Sequence, residues 1–191
     1  MQQGSKQDAH GAETGFLPGV SLPSVARLAI EAWVTTGAAL DTQSALPSAG
    51  VFVTLRDGAG KLRGCVGSLE PKRPDLLSET ARSAVLAATR DPRFVPVTSS
   101  ELEDLTIEVS VLSPAQPIQD LSDLDPARYG VVVRDSAGRQ GLLLPEVPGI
   151  DSAALQVEIA RRKAGIPADS PVTLSRFEVF KYLEDPGKGA E

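Results

Sequence analysis

The 191-residue sequence predicts an α+β protein with two lobes, built on an antiparallel or mixed β-sheet with about three flanking helices. Three observations predict it. The strand-like segments come mainly as pairs joined by tight turns, the pattern of hairpins and not of βαβ alternation. Three other segments carry apolar residues at helical spacing between recognisable start and stop signals. The length suits one domain, and 41% hydrophobic residues are enough to build a core. No repeat of solenoid type is visible.

The elements follow in chain order. Residues 1–19, rich in Gly, Gln and Ser, read as a flexible leader; the domain runs over 20–184, and 185–191 read as a frayed tail. Pro23 suits the first turn of a helix. Val25, Leu28, Ala29, Ala32 and Trp33 then share one face, which makes Trp33 a core residue by spacing, and Gly37 is the stop. Residues 38–49 read as a loop. Residues 51–55 form a strand by their β-branched and aromatic content, Asp57-Gly58-Ala59-Gly60 is a turn, and a return strand is expected over 62–69. Pro74 opens a second helix that buries Leu77, Ala81, Ala84, Val85 and Ala88 and stops before Asp91-Pro92. Phe94 and Val95 are expected to enter the core.

Residues 106–112 alternate, with Ile107, Val109 and Val111 on one face and Thr106, Glu108 and Ser110 on the other. Residues 113–130 read as loop, with Pro114, Pro117 and Pro126. Residues 130–134 and 140–144 flank a turn at Ser136-Ala137-Gly138, a second hairpin. Asp151 or Ser152 can cap a helix to about Ala164, which Gly165 and Pro167 end. Residues 172–183 read as one long final strand.

Composition removes several function classes. Nineteen basic against 25 acidic residues give a net charge of −6, which argues against a nucleic-acid or anionic-membrane partner. An aromatic share of 4% supplies few platforms for stacked bases. No apolar run approaches the roughly 18–20 residues that span a bilayer, and the polar start lacks the apolar core of a secretory signal. The single cysteine cannot form an internal disulfide. A cytoplasmic location is the expectation. The one histidine, His10, lies in the leader, so a Cys-His pair, a Ser-His-Asp triad or a His-ligated zinc site within one chain is not expected. No Cys/His cluster and no cofactor fingerprint is present, and Gly58-Ala59-Gly60-Lys61 lacks the spacing of a phosphate loop. Neither a metal nor a cofactor is expected.

Chemistry concentrates at Leu62-Arg63-Gly64-Cys65-Val66-Gly67. Gly64 and Gly67 permit unusual backbone angles or close approach of another group. Arg56, Lys61, Arg63, Lys72 and Arg73 gather positive charge in an acidic chain. Such neighbours would favour a thiolate at Cys65, or bind a carboxylate or phosphate, with Arg63 as a bidentate fork. The plainer reading of Cys65 is a small buried apolar residue. Glu70 could serve Cys65 as acid or base, or pair with Lys72 or Arg73. Glu108 could approach the same cleft from the polar face of its strand. Glu146 follows Leu144-Pro145. Arg93 could bracket a turn with Asp91, as an ion pair.

The motif resembles the LRGCIG signature of the AMMECR family, the AMME-syndrome candidate-region proteins. Further segments agree in order: Phe52-Val53-Thr54-Leu55, Asp91-Pro92-Arg93-Phe94, the run from Ile107 to Ser113, Gly141-Leu142-Leu143-Leu144-Pro145-Glu146-Val147, Arg162-Lys163-Ala164-Gly165 and Arg176-Phe177-Glu178-Val179. The likeness covers roughly residues 22–183. Val66 departs from the usual Ile, and Ala160 stands where many bacterial members have Cys. The resemblance implies a two-lobed α+β fold and a family without an established biochemical activity. It also implies association with Memo-like and radical SAM proteins, the AmmeMemoRadiSam system. Two functions follow as expectations. One is an accessory protein that binds a small anionic ligand or a partner through a cleft at residues 62–67, using Arg63, Gly64, Gly67, Glu70, Arg93, Glu108 and Glu146. The other is an enzyme with Cys65 as nucleophile or redox thiol.

Overall fold

The computed structural model describes residues 21–184; the expected leader and tail lie outside them. Helix α1, Leu22–Thr36, starts where the Ser21 hydroxyl accepts the Ser24 N–H, with proline in its first turn. It ends at Gly37, whose φ of 72° is the left-handed conformation glycine adopts without penalty. Helix α2, Leu76–Thr89, starts at Asp75, whose carboxylate accepts the N–H groups of Leu77 and Ser78. The same carboxylate takes the Ser44 hydroxyl, which pins the long loop after α1 to this helix.

Strands β1 (Val51–Arg56), β2 (Leu62–Ser68) and β3 (Thr106–Leu112) join a late strand, β8 (Val179–Leu183), in an antiparallel sheet of order β2-β1-β3-β8. Strand alternation sends Val51, Val53, Leu55, Ile107 and Val109 to one face. There they pack, fully buried, on Ala26, Ala29 and Ile30 of α1 and Ala84, Ala87 and Ala88 of α2. Strands β4 (Gln116–Ile118), β5 (Gly130–Asp135), β6 (Gln140–Leu143) and β7 (Val172–Phe177) form a second antiparallel sheet of order β4-β7-β5-β6. Helix α3, Ala153–Lys163, covers it through Val131, Val133, Leu143 and Ala160. The alternate residues of both sheets meet. Leu112, Val132 and Phe177 are buried there with Phe52, Leu69, Leu142, Leu144 and Val179 packed on them. The helices therefore lie outside, and the sheets face each other inside.

Four expectations need correction. The final strand is two strands in different sheets, parted at Glu178, whose N–H and carbonyl both bond Ser113. The stretch 113–130 contains β4 and a short 3-10 turn, Leu121–Asp123; Pro117 is tolerated because β4 is an edge strand. The buried stripe of α1 is Leu22, Val25, Ala26, Ala29 and Ile30, a complete i, i+3, i+4, i+7, i+8 set, which leaves Leu28 and Trp33 on its flanks, 54% and 38% exposed. Val95 is exposed, and Phe94 lies half-buried beneath Arg63 and Arg93. Val97 is the residue that enters the core in their place.

Candidate functional site

Hairpin register sets the site. The turn at Asp57–Gly60 closes with the Asp57 carboxylate accepting the N–H groups of Ala59 and Lys61, and Gly60 takes φ of 76°. With a bulge beside Arg56, Cys65 then falls opposite Thr54, Thr54 opposite Glu108, and Glu108 opposite Leu183. Residues directly opposite share a face. This row therefore looks inward, away from the helices, and Cys65 is half-buried, not sealed beneath Val53 and Ile107. The Thr54 hydroxyl donates to Sγ at 3.3 Å. The next row on the same face is Gly67, Phe52, Ser110 and Lys181, and the Ser110 hydroxyl donates to Glu108 at 3.4 Å.

The two glycines of the motif are not turn residues, for neither has positive φ. A Cβ on Gly64 would lie 2.2 Å from the Ala87 carbonyl oxygen, so its absence lets α2 lie directly on β2. A Cβ on Gly67 would lie 2.1 Å from the Val51 carbonyl oxygen and 2.5 Å from Cα of Phe52. Both serve close approach, one on each face of the strand.

The Cys65 backbone is anchored from the edge of β2. Its N–H donates to buried Asp91 at 2.8 Å. Asp91 also accepts the Arg93 backbone N–H and two guanidinium bonds, at 2.9 and 2.7 Å. The Arg93 guanidinium holds the Asp91 carboxyl well below the usual carboxylate range, against burial, with the Cys65 N–H adding to the effect. Arg93 itself remains half-exposed and lies over the Phe94 ring at 5.4 Å.

The structure brings some expected residues together and separates others. Cys65 and Glu108 lie in one row of the inner sheet face with Thr54 between them, and Arg93 is held beside the β2 edge by Asp91. Glu146 is paired with Lys181; it has φ of 57°, the single non-glycine residue with positive φ among the described residues. The Lys181 ammonium lowers the Glu146 carboxyl. Arg63 turns instead to Glu101, with bonds of 2.7 and 3.2 Å, and to the Val95 carbonyl at 2.9 Å. Its fork is thus occupied within the protein. That pair, with the Thr98 N–H, holds Glu101 down to about 2. Glu70 meets Arg134 of the second sheet at 3.5 Å, not Lys72 or Arg73. Thr54, Ser110, Lys181 and the anchoring role of Asp91 went unread. The first was accessible, since the turn fixes the hairpin register; Lys181 carried no signal, because nothing local places β8 beside β3.

These features define a two-sheet α+β protein whose inner sheet face presents one thiol, one carboxylate and two hydroxyls between paired charges. The chain belongs to the AMMECR1 family, whose profile matches residues 23–182. It is 44% identical over 160 residues to a protein of Thermotoga maritima, covering 80% of this chain and 91% of that one. It is 38% identical to a much longer Clostridium acetobutylicum protein, matching 71% of this chain but only 28% of that one. The crystal structure of the uncharacterized protein PH0010 from Pyrococcus horikoshii superposes with a TM-score of 0.76 at 32% identity, covering 88% of this chain and 92% of that one. No helix among the described residues is long and apolar enough to cross a membrane.

Proposed function

We propose that the protein is a cytoplasmic accessory module that binds a partner or a small anionic ligand on the inner face of β2-β1-β3-β8, and that it acts with Memo-like and radical SAM proteins. One observation carries the reading: the face around Cys65 is anchored and half-open, yet no imidazole stands among the described residues to take a proton from the thiol. The nearby cations Arg93 and Lys181 are already paired, the arrangement of a recognition surface that exchanges ion partners. The Clostridium relative is consistent with a module, since the matched segment makes up 28% of that longer chain. Purified Memo-like and radical SAM proteins, titrated calorimetrically against this protein, test the proposal. Binding should weaken at least roughly ten-fold in Glu108→Lys, a charge reversal on the face. Failure of both partners to bind removes the reading.

A second reading has its own observation: Cys65 is half-buried on the inner face, and its Sγ accepts a bond from the Thr54 hydroxyl. Cys65 would then serve as nucleophile or redox thiol on a small anionic substrate. Alkylation of the native protein across pH decides it. A thiol that reacts only after unfolding leaves Cys65 a packing residue.

A further inference from the structure

On the outer side of the first lobe, away from Cys65, α1 and α2 leave a recess of about 450 Å³ bordered by residues 39–43 and by Arg73 and Pro74. That volume lies within the range of small-molecule sites. Its walls are apolar, from Ala29, Leu40, Val85 and Leu86. Trp33, which the helix stripe leaves 38% exposed, stands on the same wall. A tryptophan placed half out of the core beside a cavity is an amphipathic platform for a flat apolar body. Thr42 also lines the recess, and its hydroxyl is buried behind that wall without a hydrogen-bond partner among the described residues. Such groups are uncommon in folded proteins and ask for a partner.

Charge completes the site. Two guanidiniums, Arg73 and Arg82, face one carboxylate, Asp41, on the lining. Buried Glu79 stands behind Arg82, which leaves Arg73 as the cation of the lining without a carboxylate partner among the described residues. The Arg73 side chain makes no ion pair or hydrogen bond among the described residues, and Arg82 makes a single 3.4 Å contact, to Glu79. Free donors on both are available to an anion.

We propose that this recess binds an aromatic organic anion, its ring against Trp33 and Leu40 and its charge on Arg73 and Arg82. The site is separate from the inner sheet face and stands whether or not that face binds a partner.

The full-length protein carries its own reporter, since Trp33 is the sole tryptophan. Anilinonaphthalene sulfonate serves as the anionic probe and phenylnaphthylamine as its uncharged twin. The expected result is saturable quenching of Trp33 emission with energy transfer to the sulfonate. Binding of the neutral amine should be roughly ten-fold weaker, the effect of one charge-assisted bond. Arg73→Ala should weaken the sulfonate to a similar degree, and Val85→Phe, which fills the recess, should abolish the transfer. Quenching that does not saturate overturns the proposal. So does equal affinity for the two probes, or an Arg73→Ala variant that binds the sulfonate like the parent. Arg73 is exposed and unpaired, so its variant folds and decides the matter even if Val85→Phe does not.

Discussion

Replacing Gly64 with alanine puts a methyl carbon 2.2 Å from the Ala87 carbonyl oxygen, 3.1 Å from its carbonyl carbon and 3.6 Å from a Leu55 methyl. Comfortable contact between such atoms needs about 3.5 Å. The overlap of more than an ångström is with helix backbone, which has no rotamer to turn aside. Either α2 moves outward or β2 bends away from it. Outward movement loosens Ala84, Ala87 and Ala88, all buried under the sheet. Overpacking of this kind costs roughly 1–3 kcal/mol, and a clash with a carbonyl belongs at the upper end. For a domain of this size that lowers the melting temperature by about 6–12 °C. Thermal unfolding followed by circular dichroism measures it. Gly58→Ala is the control, because its Cβ would meet Asp104 at an ordinary 3.5 Å. If Gly64→Ala melts within about 2 °C of the parent, close approach of α2 is not the reason for the glycine.

Other consequences follow from the same geometry. Glu101 has its folded pKa lowered, so it adds stability above its ordinary value of 4.5, and that contribution is lost as pH falls toward about 2. The fall of melting temperature over this interval should be shallower in Glu101→Gln; parallel curves would refute the linkage. Asp91→Asn weakens the guanidinium pair and the anchor of the Cys65 N–H, and should raise the rate of Cys65 alkylation several-fold, as the edge of β2 loosens; an unchanged rate would deny Asp91 that role. Glu146→Gly relieves the left-handed strain at the expense of chain entropy and should leave the melting temperature nearly unchanged, while Glu146→Val should cost about 1–2 kcal/mol; similar melting of the two would show that φ is not what matters there. Gln156→Leu strips the amide donor from the Tyr129 and Leu144 carbonyls and should cost about 1–3 kcal/mol in urea unfolding, whereas a neutral result would mean that water reaches those oxygens.

What could be read in advance was local. Pro23 in the first turn of α1, the cap at Ser152, the stop at Gly37, the Asp57–Gly60 turn and the alternation of β3 are written within a few residues of where they act. The break at Glu178 is not, because nothing in Phe177-Glu178-Val179 distinguishes a continuing strand from one that changes sheets. Only Ser113, 65 residues away, supplies the bonds that mark the crossing. Trp33 was misplaced for another reason. Leu28, Ala29 and Trp33 make a fair helical stripe, but Leu22, Ala26 and Ile30 make a fuller one, and the helix buries the stripe that fits the sheet. At the site, Cys65 and Glu108 were legible as neighbours in kind, and their shared row needed the register of three strands. Arg63 looked like a free anion fork because Glu101, which occupies it, lies 38 residues on.

The crossing at Glu178 also bears on how the chain can be assembled as it is made. Strand β7 sits between β4 and β5, both synthesised well before it, and β8 completes the sheet begun by β1, β2 and β3. Until residues 172–183 leave the ribosome, β3 has an open edge, β5 has β6 on one side only, and β4 has nothing to pair with. The β1-β2 and β5-β6 hairpins can close early, but both sheets wait for the same dozen residues. A pause in translation upstream of Val172 would thus hold the nascent protein with two unpaired, β-branched strand edges at once, the state in which it most needs a chaperone.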